Sequence, residues 1–239
     1  MSNAETGCLP RIEDLRRKFI REIELMSPSY AMSDKFRDAV RMMAISIYSY
    51  GVARMTSPDV HKSLEEEFSR YEEKYGKDGS DHVTNAFLIT IDMLSRRRTD
   101  FLGHVMEEIG AANQKGTQQF LTPECVAKLM ARCISHGAAE DLRGHDVKIR
   151  LNDPACGASV LLIEQAEQLI LEGNVSQRDI IIYAEDLDFN AFNISYVQLA
   201  LLGYAAQVTR MDSLSQNVLE GPWLTPGVYL HCVAGEFKK

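Results

Sequence analysis

The sequence lacks the features that mark secreted, membrane-spanning and zinc-binding proteins. Its five cysteines are odd in number and form no Cys-x-x-Cys pair, which favours reduced thiols over a disulfide framework. The six histidines are scattered without a His-Glu-x-x-His motif, so we expect no metal site. No apolar run approaches the length of a membrane span, and the N-terminus lacks a basic-then-apolar secretory pattern. These absences predict a cytoplasmic protein with no membrane association.

An excess of basic residues is also missing. The formal charge is −8, with 16 Lys and Arg against 19 Asp and Glu before Ala111 and 10 against 15 from there on. Duplex DNA is held mainly by cationic groups on its phosphates, so DNA binding would need a local patch or a basic partner subunit. Two clusters are candidates, although solvated helix faces commonly look the same: Arg96-Arg97-Arg98, and Arg11, Arg16, Arg17, Lys18 and Arg21.

The pattern divides the chain into a helical domain at 1–110 and an α/β domain at 111–239, with a small, polar linker at 111–119. In the first part, apolar residues recur at helical spacing, for example Leu15, Phe19, Ile23 and Met26. Helices are expected from Ser57 to Tyr71, His82 to Leu94 and Asp100 to Ile109, with a turn at Gly76–Gly79.

Strands and helices alternate in the second part, which predicts a parallel sheet with helices on its faces. The predicted strands are Val147–Leu151, Ile180–Ala184, Gln207–Arg210 and Val228–Val233, and the predicted helices are Cys125–Ile134, Val160–Leu171 and Phe189–Leu202. In such sheets ligands bind beyond the carboxyl ends of the strands, at the switch point in strand order.

The residues at those strand ends describe a nucleoside pocket. Asn152–Ser159 turns from a strand through small residues into a helix, so backbone can approach a ligand and helix N–H groups can point at it. Asp153, Glu185-Asp186 and Asp212 follow the first three strands. A carboxylate after the second strand suits the two ribose hydroxyls, and one after the third suits an adenine amino group. The dinucleotide fingerprint and the P-loop motif are both absent, and clustered carboxylates would repel a pyrophosphate.

Residues 100–215 resemble the adenine-N6 DNA methyltransferases, most closely the modification subunits of type I restriction systems. The resemblance is carried by the runs Asp100–Gly103, Gln119–Glu124, Asn152–Gly157, Ala184–Asp188 and Met211–Leu214. It implies a Rossmann-like methyltransferase sheet and S-adenosylmethionine as cofactor. It implies that the methionine end is held by Thr122, Asp153, Pro154, Ala155, Cys156 and Gly157. The ribose maps onto Asp186, with Glu185 the near alternative, and the adenine onto Asp212.

Each of these residues also has a purely structural interpretation. Thr122 and Pro123 suit the N-cap and first position of a helix. Cys156 is small enough to be a buried filler, and Glu185 and Asp188 fit solvated positions. The ordered set carries the inference.

Two departures separate this chain from that family. The family's loop usually ends Gly-Ser-Gly, whereas this one reads Gly157-Ala158-Ser159, which we expect to weaken cofactor binding without abolishing it. The family's Asn/Asp-Pro-Pro-aromatic tetrad, which polarises the target amine and stacks on the flipped base, does not occur in this sequence. If Val228–Val233 is the fourth strand, the tetrad position falls on Ala234–Phe237.

Three functions remain open at this point. The chain binds S-adenosylmethionine and lacks catalysis by itself, or it is an active methyltransferase that uses a nonstandard residue such as Glu236, or it is a regulatory protein that keeps the sheet as scaffold. We also expect the sheet to be incomplete at its C-terminus. An open edge would then favour a homodimer or a partner chain.

Overall fold

The computed structural model describes residues 11–110, 122–141, 148–172, 175–231 and 233–237. The linker predicted at 111–119 lies outside these residues. The helices are α1 (Ile12–Leu25), α2 (Met32–Tyr48), α3 (Arg54–Thr56), α4 (Pro58–Arg96), α5 (Leu102–Glu108), α6 (Glu124–Asp141), α7 (Val160–Leu171), α8 (Phe189–Leu201) and α9 (Gly227–Leu230). The strands are β1 (Ile149–Asp153), β2 (Ile180–Asp186), β3 (Ala205–Asp212) and β4 (Asn217–Leu224).

The helical part follows its apolar spacing closely. Leu15, Phe19 and Ile23 lie one turn apart on α1 and are all buried, as the 3.6-residue period predicts. A short π-helical stretch, Ser49–Ala53, joins α2 to α3. The turn expected at Gly76–Gly79 is confined to Gly76, whose φ of 68° and ψ of −177° break the helical path of α4. Gly76 therefore separates two helical segments, which meet at a kink within the range given for α4.

The sheet has the order β1-β2-β3-β4, with β1, β2 and β3 parallel and β4 antiparallel to β3. The register pairs Asp153 with Ala184 and Asp186 with Arg210, so the carboxyl ends of the three parallel strands lie at one edge. The predicted α/β class is confirmed.

The fourth strand was predicted in the wrong place. Val228 lies in a short helix turn, α9, in which Tyr229 and Leu230 donate their N–H groups to the Pro226 carbonyl. The fourth strand is instead Asn217–Leu224, which returns along β3 as a hairpin. This strand contains Pro222 and is mostly exposed, and an edge strand tolerates both features. A short apolar run such as 228–233 fits a strand and a helix turn equally well.

One continuous apolar cluster runs from the helical part into the sheet. Its centre joins α2 to α8 and β4: Trp223 stacks on Tyr48 with ring centroids 4.4 Å apart and meets Tyr196 edge-on at 5.2 Å. The guanidinium of Arg41 lies 4.9 Å from the Trp223 ring and forms ion pairs with Glu67 and Glu220. Across the described part of the chain, every helix is too short or too polar to cross a membrane.

Candidate functional site

The loop between β1 and α7 is anchored to the end of β2. Cys156 donates its backbone N–H to the Glu185 carbonyl at 2.9 Å. Gly157 donates its N–H to the Asp186 carboxylate at 2.8 Å. The structure therefore brings the predicted loop and the predicted carboxylates of β2 together at one edge of the sheet.

Two loop residues adopt left-handed backbone conformations, Gly157 with φ of 54° and Ser159 with φ of 64°. Glycine takes this conformation without steric cost, whereas serine does not. Ser159 stands where the family usually has the last glycine of the loop, so the departure seen in the sequence falls on a strained position. The Ser159 hydroxyl donates to Ser195 Oγ at 2.7 Å, a contact that glycine cannot form.

Cys156 faces the interior and is 6% exposed. Its Sγ lies 3.4 Å from Ser195 Oγ. Burial raises the pKa of the thiol to about 12, and the hydrogen bond with Ser195 offsets only part of that rise. The side chain is therefore a neutral thiol that packs beneath the loop.

The carboxylate of Asp186 organises the loop. It accepts the Gly157 N–H on one oxygen and the Asp188 N–H on the other, both at 2.8 Å. Burial raises the pKa of Asp186, while these two backbone hydrogen bonds act in the opposite direction. Asp188 is half-buried, and its carboxylate caps α8 by accepting from the N–H groups of Asn190 and Ala191.

Glu185 is the more exposed carboxylate of the pair and points to the other face of β2. Ser213 Oγ lies 3.0 Å from the Glu185 carboxylate and 2.7 Å from the Pro154 carbonyl. This hydroxyl, on the turn after β3, therefore links all three strand ends.

Asp212 closes the turn between β3 and β4. Its carboxylate accepts from Ser215 Oγ at 2.7 Å and from the backbone N–H groups of Leu214 and Ser215 at 3.0 and 3.3 Å. The hydrogen bond from the Ser215 hydroxyl, followed by those from the backbone, lowers the pKa of Asp212. The carboxylate is thus held ionised at the site edge.

Thr122 precedes α6, and Pro123 occupies the capping position assigned to Thr122, since its carbonyl accepts from Val126 and Ala127. The next residue, Glu124, ties α6 to the helical part through an ion pair with Arg97. Burial alone would raise the pKa of Glu124, but hydrogen bonds from Lys128 and Arg97 bring it below its usual value. Gln165 of α7 donates a hydrogen bond to Ser135 of α6, so α6, which Thr122 precedes, packs against α7.

The Arg96–Arg98 triplet is committed to internal contacts. Arg97 pairs with Glu124, and Arg98 pairs with Glu167 and donates to the Leu202 carbonyl. Arg96 pairs with Asp92 within α4. Arg97 and Arg98 therefore join the helical part to the sheet part, whereas Arg17, Lys18 and Arg21 on α1 are exposed.

Three residues of the site were missed from sequence: Ser195 and Gln198 on α8, and Ser213. Ser195 and Gln198 are polar residues three apart within the apolar run of α8, and both are fully buried. Buried polar side chains on a core helix require partners, which is the signal that would have revealed them.

An apolar cavity of about 360 Å³ lies beside the outer edge of β1. Its walls come from three elements, and they include Met130 and Ile134 of α6, Ile149 and Leu151 of β1, and Leu162 and Leu169 of α7. Within the described ranges, no group of three or more His, Cys, Asp or Glu is arranged to hold a metal ion.

The model of the N-6 DNA methylase family matches residues 97–228, more than half of the chain. The chain belongs to the N-6 DNA methylase family. This confirms the resemblance drawn from the sequence motifs. No curated protein matches the chain.

Two solved structures are similar to this family member. The first is a protein from Listeria monocytogenes described as a class I S-adenosylmethionine-dependent methyltransferase, with a TM-score of 0.52 and 15% identity, covering 89% of this chain and 56% of that one. The second is the type I restriction-modification methyltransferase subunit from Streptococcus thermophilus, with a TM-score of 0.41 and 14% identity, covering 81% and 57%. The chain thus spans little more than half the length of either protein.

Proposed function

We propose that this chain binds S-adenosylmethionine and acts in adenine-N6 modification of DNA, with methyl transfer depending on residues that this chain does not supply by itself. The observation that supports this most directly is the convergence of the 153–157 loop, the β2 carboxylates and Ser213 at one edge of a parallel sheet. Two backbone-anchored loop residues and several carboxylates at the rim suit a cationic sulfonium nucleoside, and these carboxylates disfavour a pyrophosphate.

The residues present fit the cofactor in chemical type. Loop residues Asp153 to Gly157, with Thr122, are proposed to hold the methionine end, and Asp212 the adenine amino group. Asp186 is proposed for the ribose hydroxyls, with Glu185 as the alternative. Asp186 is buried against the loop, while Glu185 keeps a more exposed carboxylate. When bound, S-adenosylmethionine supplies an activated methyl group.

Glu236 does not suit the role of a substitute catalytic residue. The segment Ala234–Phe237 is a 3-10 helix that follows the short helix α9 and not a strand, so the condition for placing the tetrad there is not met. The Glu236 carboxylate pairs with Arg150, and the Glu236 carbonyl accepts from the Tyr183 hydroxyl at 3.3 Å. Arg150 lies in the amino-terminal half of β1, away from the loop at its carboxyl end. We therefore favour cofactor binding over catalysis through Glu236.

Calorimetric titration of S-adenosylmethionine tests the proposal. We expect saturable binding by the wild type, and no binding at millimolar ligand would leave only the scaffold function. Glu185→Gln and Asp186→Asn separate the two ribose assignments. The variant that removes the ribose contact should bind about tenfold more weakly, since a hydrogen bond to a charged group contributes about 1.5–3 kcal/mol. Glu66→Gln, an exposed carboxylate on α4, is the matched control and should bind like the wild type. A radiolabelled methyl-transfer assay on unmethylated DNA then distinguishes binding from catalysis.

For the partners, we propose DNA contact through the exposed cations of α1 or through a partner subunit, in the cytoplasm.

We further propose that a second copy or a partner chain covers the outer edge of β1. Supporting this, β1 is an edge strand, the adjoining cavity is apolar, and α6 exposes Val126, Leu129 and Ile134 beside it. Sedimentation velocity of the purified chain should show a dimer. A monodisperse monomer that also fails to associate with DNA-modification subunits would contradict the proposal.

A further inference from the structure

One face of α8 forms hydrogen bonds with the backbone of the loop between β1 and α7. Ser195 and Gln198, three residues apart, are both fully buried. Ser195 Oγ donates to the Gly157 carbonyl at 2.8 Å, and Gln198 Nε2 donates to the Ala158 carbonyl at 2.8 Å. Two consecutive carbonyls of the loop are therefore fixed by a single rigid helix.

The other contacts of Gln198 reach the segment that leads into α5. Its Oε1 accepts from the backbone N–H groups of Phe101 and Leu102 at 2.7 and 2.9 Å. Its Nε2 also donates to Asp100 Oδ1 at 3.0 Å. The amide thus uses both donors and both acceptor sites, and the two N–H groups facing Oε1 fix which way it points. Gln198 is the residue through which α5 and the loop are joined.

The same segment also touches the loop directly. Gly103 donates its N–H to Asp100 Oδ1 at 2.7 Å. A Cβ added at Gly103 would lie 2.6 Å from the Cβ of Ala158, so there is no space for a side chain between α5 and the loop. The separation of α5 from the loop is therefore fixed by the close packing of Gly103 on Ala158 and by the hydrogen bonds of the Gln198 amide.

We propose that Gln198 is a positioning residue for cofactor binding, which sets the place of the 157–159 loop according to how the Asp100–Gly103 segment is docked. The consequence for S-adenosylmethionine rests on the proposed function. Displacement of the Ala158 carbonyl would turn the neighbouring peptide groups, and with them the backbone that faces the ligand. A buried amide whose four hydrogen bonds are all formed specifies one geometry, and its loss leaves several polar groups unpaired.

Two variants displace the loop by different means. Gly103→Ala removes no hydrogen-bonding group, but its added Cβ would overlap the Asp100 carboxylate as well as the Cβ of Ala158, so it displaces both from their present positions. Gln198→Asn keeps an amide that is too short to span both partners. Gly235→Ala is the matched control, because nothing lies within 4 Å of the added methyl group. Hydrogen–deuterium exchange of the peptide covering 156–159 is compared with that of α1 and α2 peptides, and S-adenosylmethionine affinity is measured by calorimetry well below each variant's unfolding temperature.

The expected result is faster exchange confined to the loop peptide in both variants, with affinity about tenfold weaker, corresponding to about 1.4 kcal/mol. The control should match the wild type in both readouts. Uniformly faster exchange in all peptides with unchanged affinity would show a merely structural role and overturn the proposal, as would unchanged loop exchange in both folded variants. If the wild type binds no S-adenosylmethionine, the proposed function fails, while the exchange measurement still decides whether Gln198 positions the loop. If one variant does not fold, the other one decides.

Discussion

At the scale of single residues, Ser159 shows how the loop between β1 and α7 accommodates a side chain at a left-handed position. Its backbone is left-handed, a conformation that is unfavourable for any residue with a Cβ. Its hydroxyl donates to Ser195 Oγ, and Ser195 in turn donates to the Gly157 carbonyl. The unfavourable backbone conformation of Ser159 is therefore offset by a buried hydrogen bond between the loop and α8.

Substitutions at Ser159 separate these two effects. Ser159→Ala keeps the strain and loses the hydrogen bond, so its free energy of unfolding should fall by about 1–2 kcal/mol. Ser159→Gly loses the hydrogen bond but relieves strain of similar size, so it should stay within about 1 kcal/mol of the wild type. Urea denaturation of the three proteins measures this. A glycine variant less stable than the alanine variant would contradict the assignment of strain.

At the scale of secondary-structure elements, sequence reasoning succeeded where periodicity was long and failed where it was short. Leu15, Phe19 and Ile23 predict α1 because a helix of several turns repeats its apolar face. The hairpin strand β4 was missed because its residues are mostly exposed, so no alternation marks it, and because Pro222 argues against a strand. The run 228–233 was misassigned because four to six apolar residues carry no period that distinguishes a strand from a helix turn.

The site divides in the same way. The convergence of Asp153, Glu185 and Asp186 follows from parallel strands whose carboxyl ends share an edge, and this was predictable from the strand order in the chain. The division of labour between the two β2 carboxylates was not predictable. Alternation places Asp186 on the loop side and Glu185 on the other face, and only the packing of the 154–159 loop decides which is buried.

At the scale of the whole molecule, the helical part and the sheet share one apolar cluster, and ion pairs cross between them. Arg98, two residues after the end of α4, pairs with Glu167 of α7, and the buried Arg41 of α2 joins Glu67 to Glu220 of β4. The division of the chain at 110 stays a prediction. The extent of the shared core indicates that the stability of one part depends on the other.

Asp100 gives this shared interior a pH dependence. The residue is 2% exposed, and burial raises its pKa to about 6, against partial offsets from the Gly103 N–H and from His104. The folded state therefore binds this proton more tightly than the unfolded state. The protonated Asp100 side chain therefore stabilises the folded state fully below pH 3.8, the pKa of this group in the unfolded chain. This contribution is lost as the pH rises through about 6.

Ionisation of Asp100 should lower the free energy of unfolding by about 2–3 kcal/mol at neutral pH, since a shift of one pKa unit corresponds to about 1.4 kcal/mol. Asp100→Asn removes the ionisation, so the variant should gain stability relative to the wild type between about pH 4 and pH 7 and show no further gain above that range. Urea denaturation across the pH series measures the difference. Asp78→Asn, an exposed change on α4, should show no such trend, and a constant difference for Asp100→Asn would contradict the raised pKa.

The sequence by itself determined the class of the fold, the first three strands with the helices between them, and the family, because apolar periods and short ordered motifs are local and survive in the chain. It also determined that three acidic strand ends and a small-residue loop would lie at one edge, since parallel strands leave no other arrangement. The tertiary structure alone decided which carboxylate accepts the N–H groups of the loop, that the arginine triplet pairs internally, and that Gln198 joins α5 to the loop. Those outcomes depend on burial and on contacts between residues far apart in the chain, which no local pattern encodes.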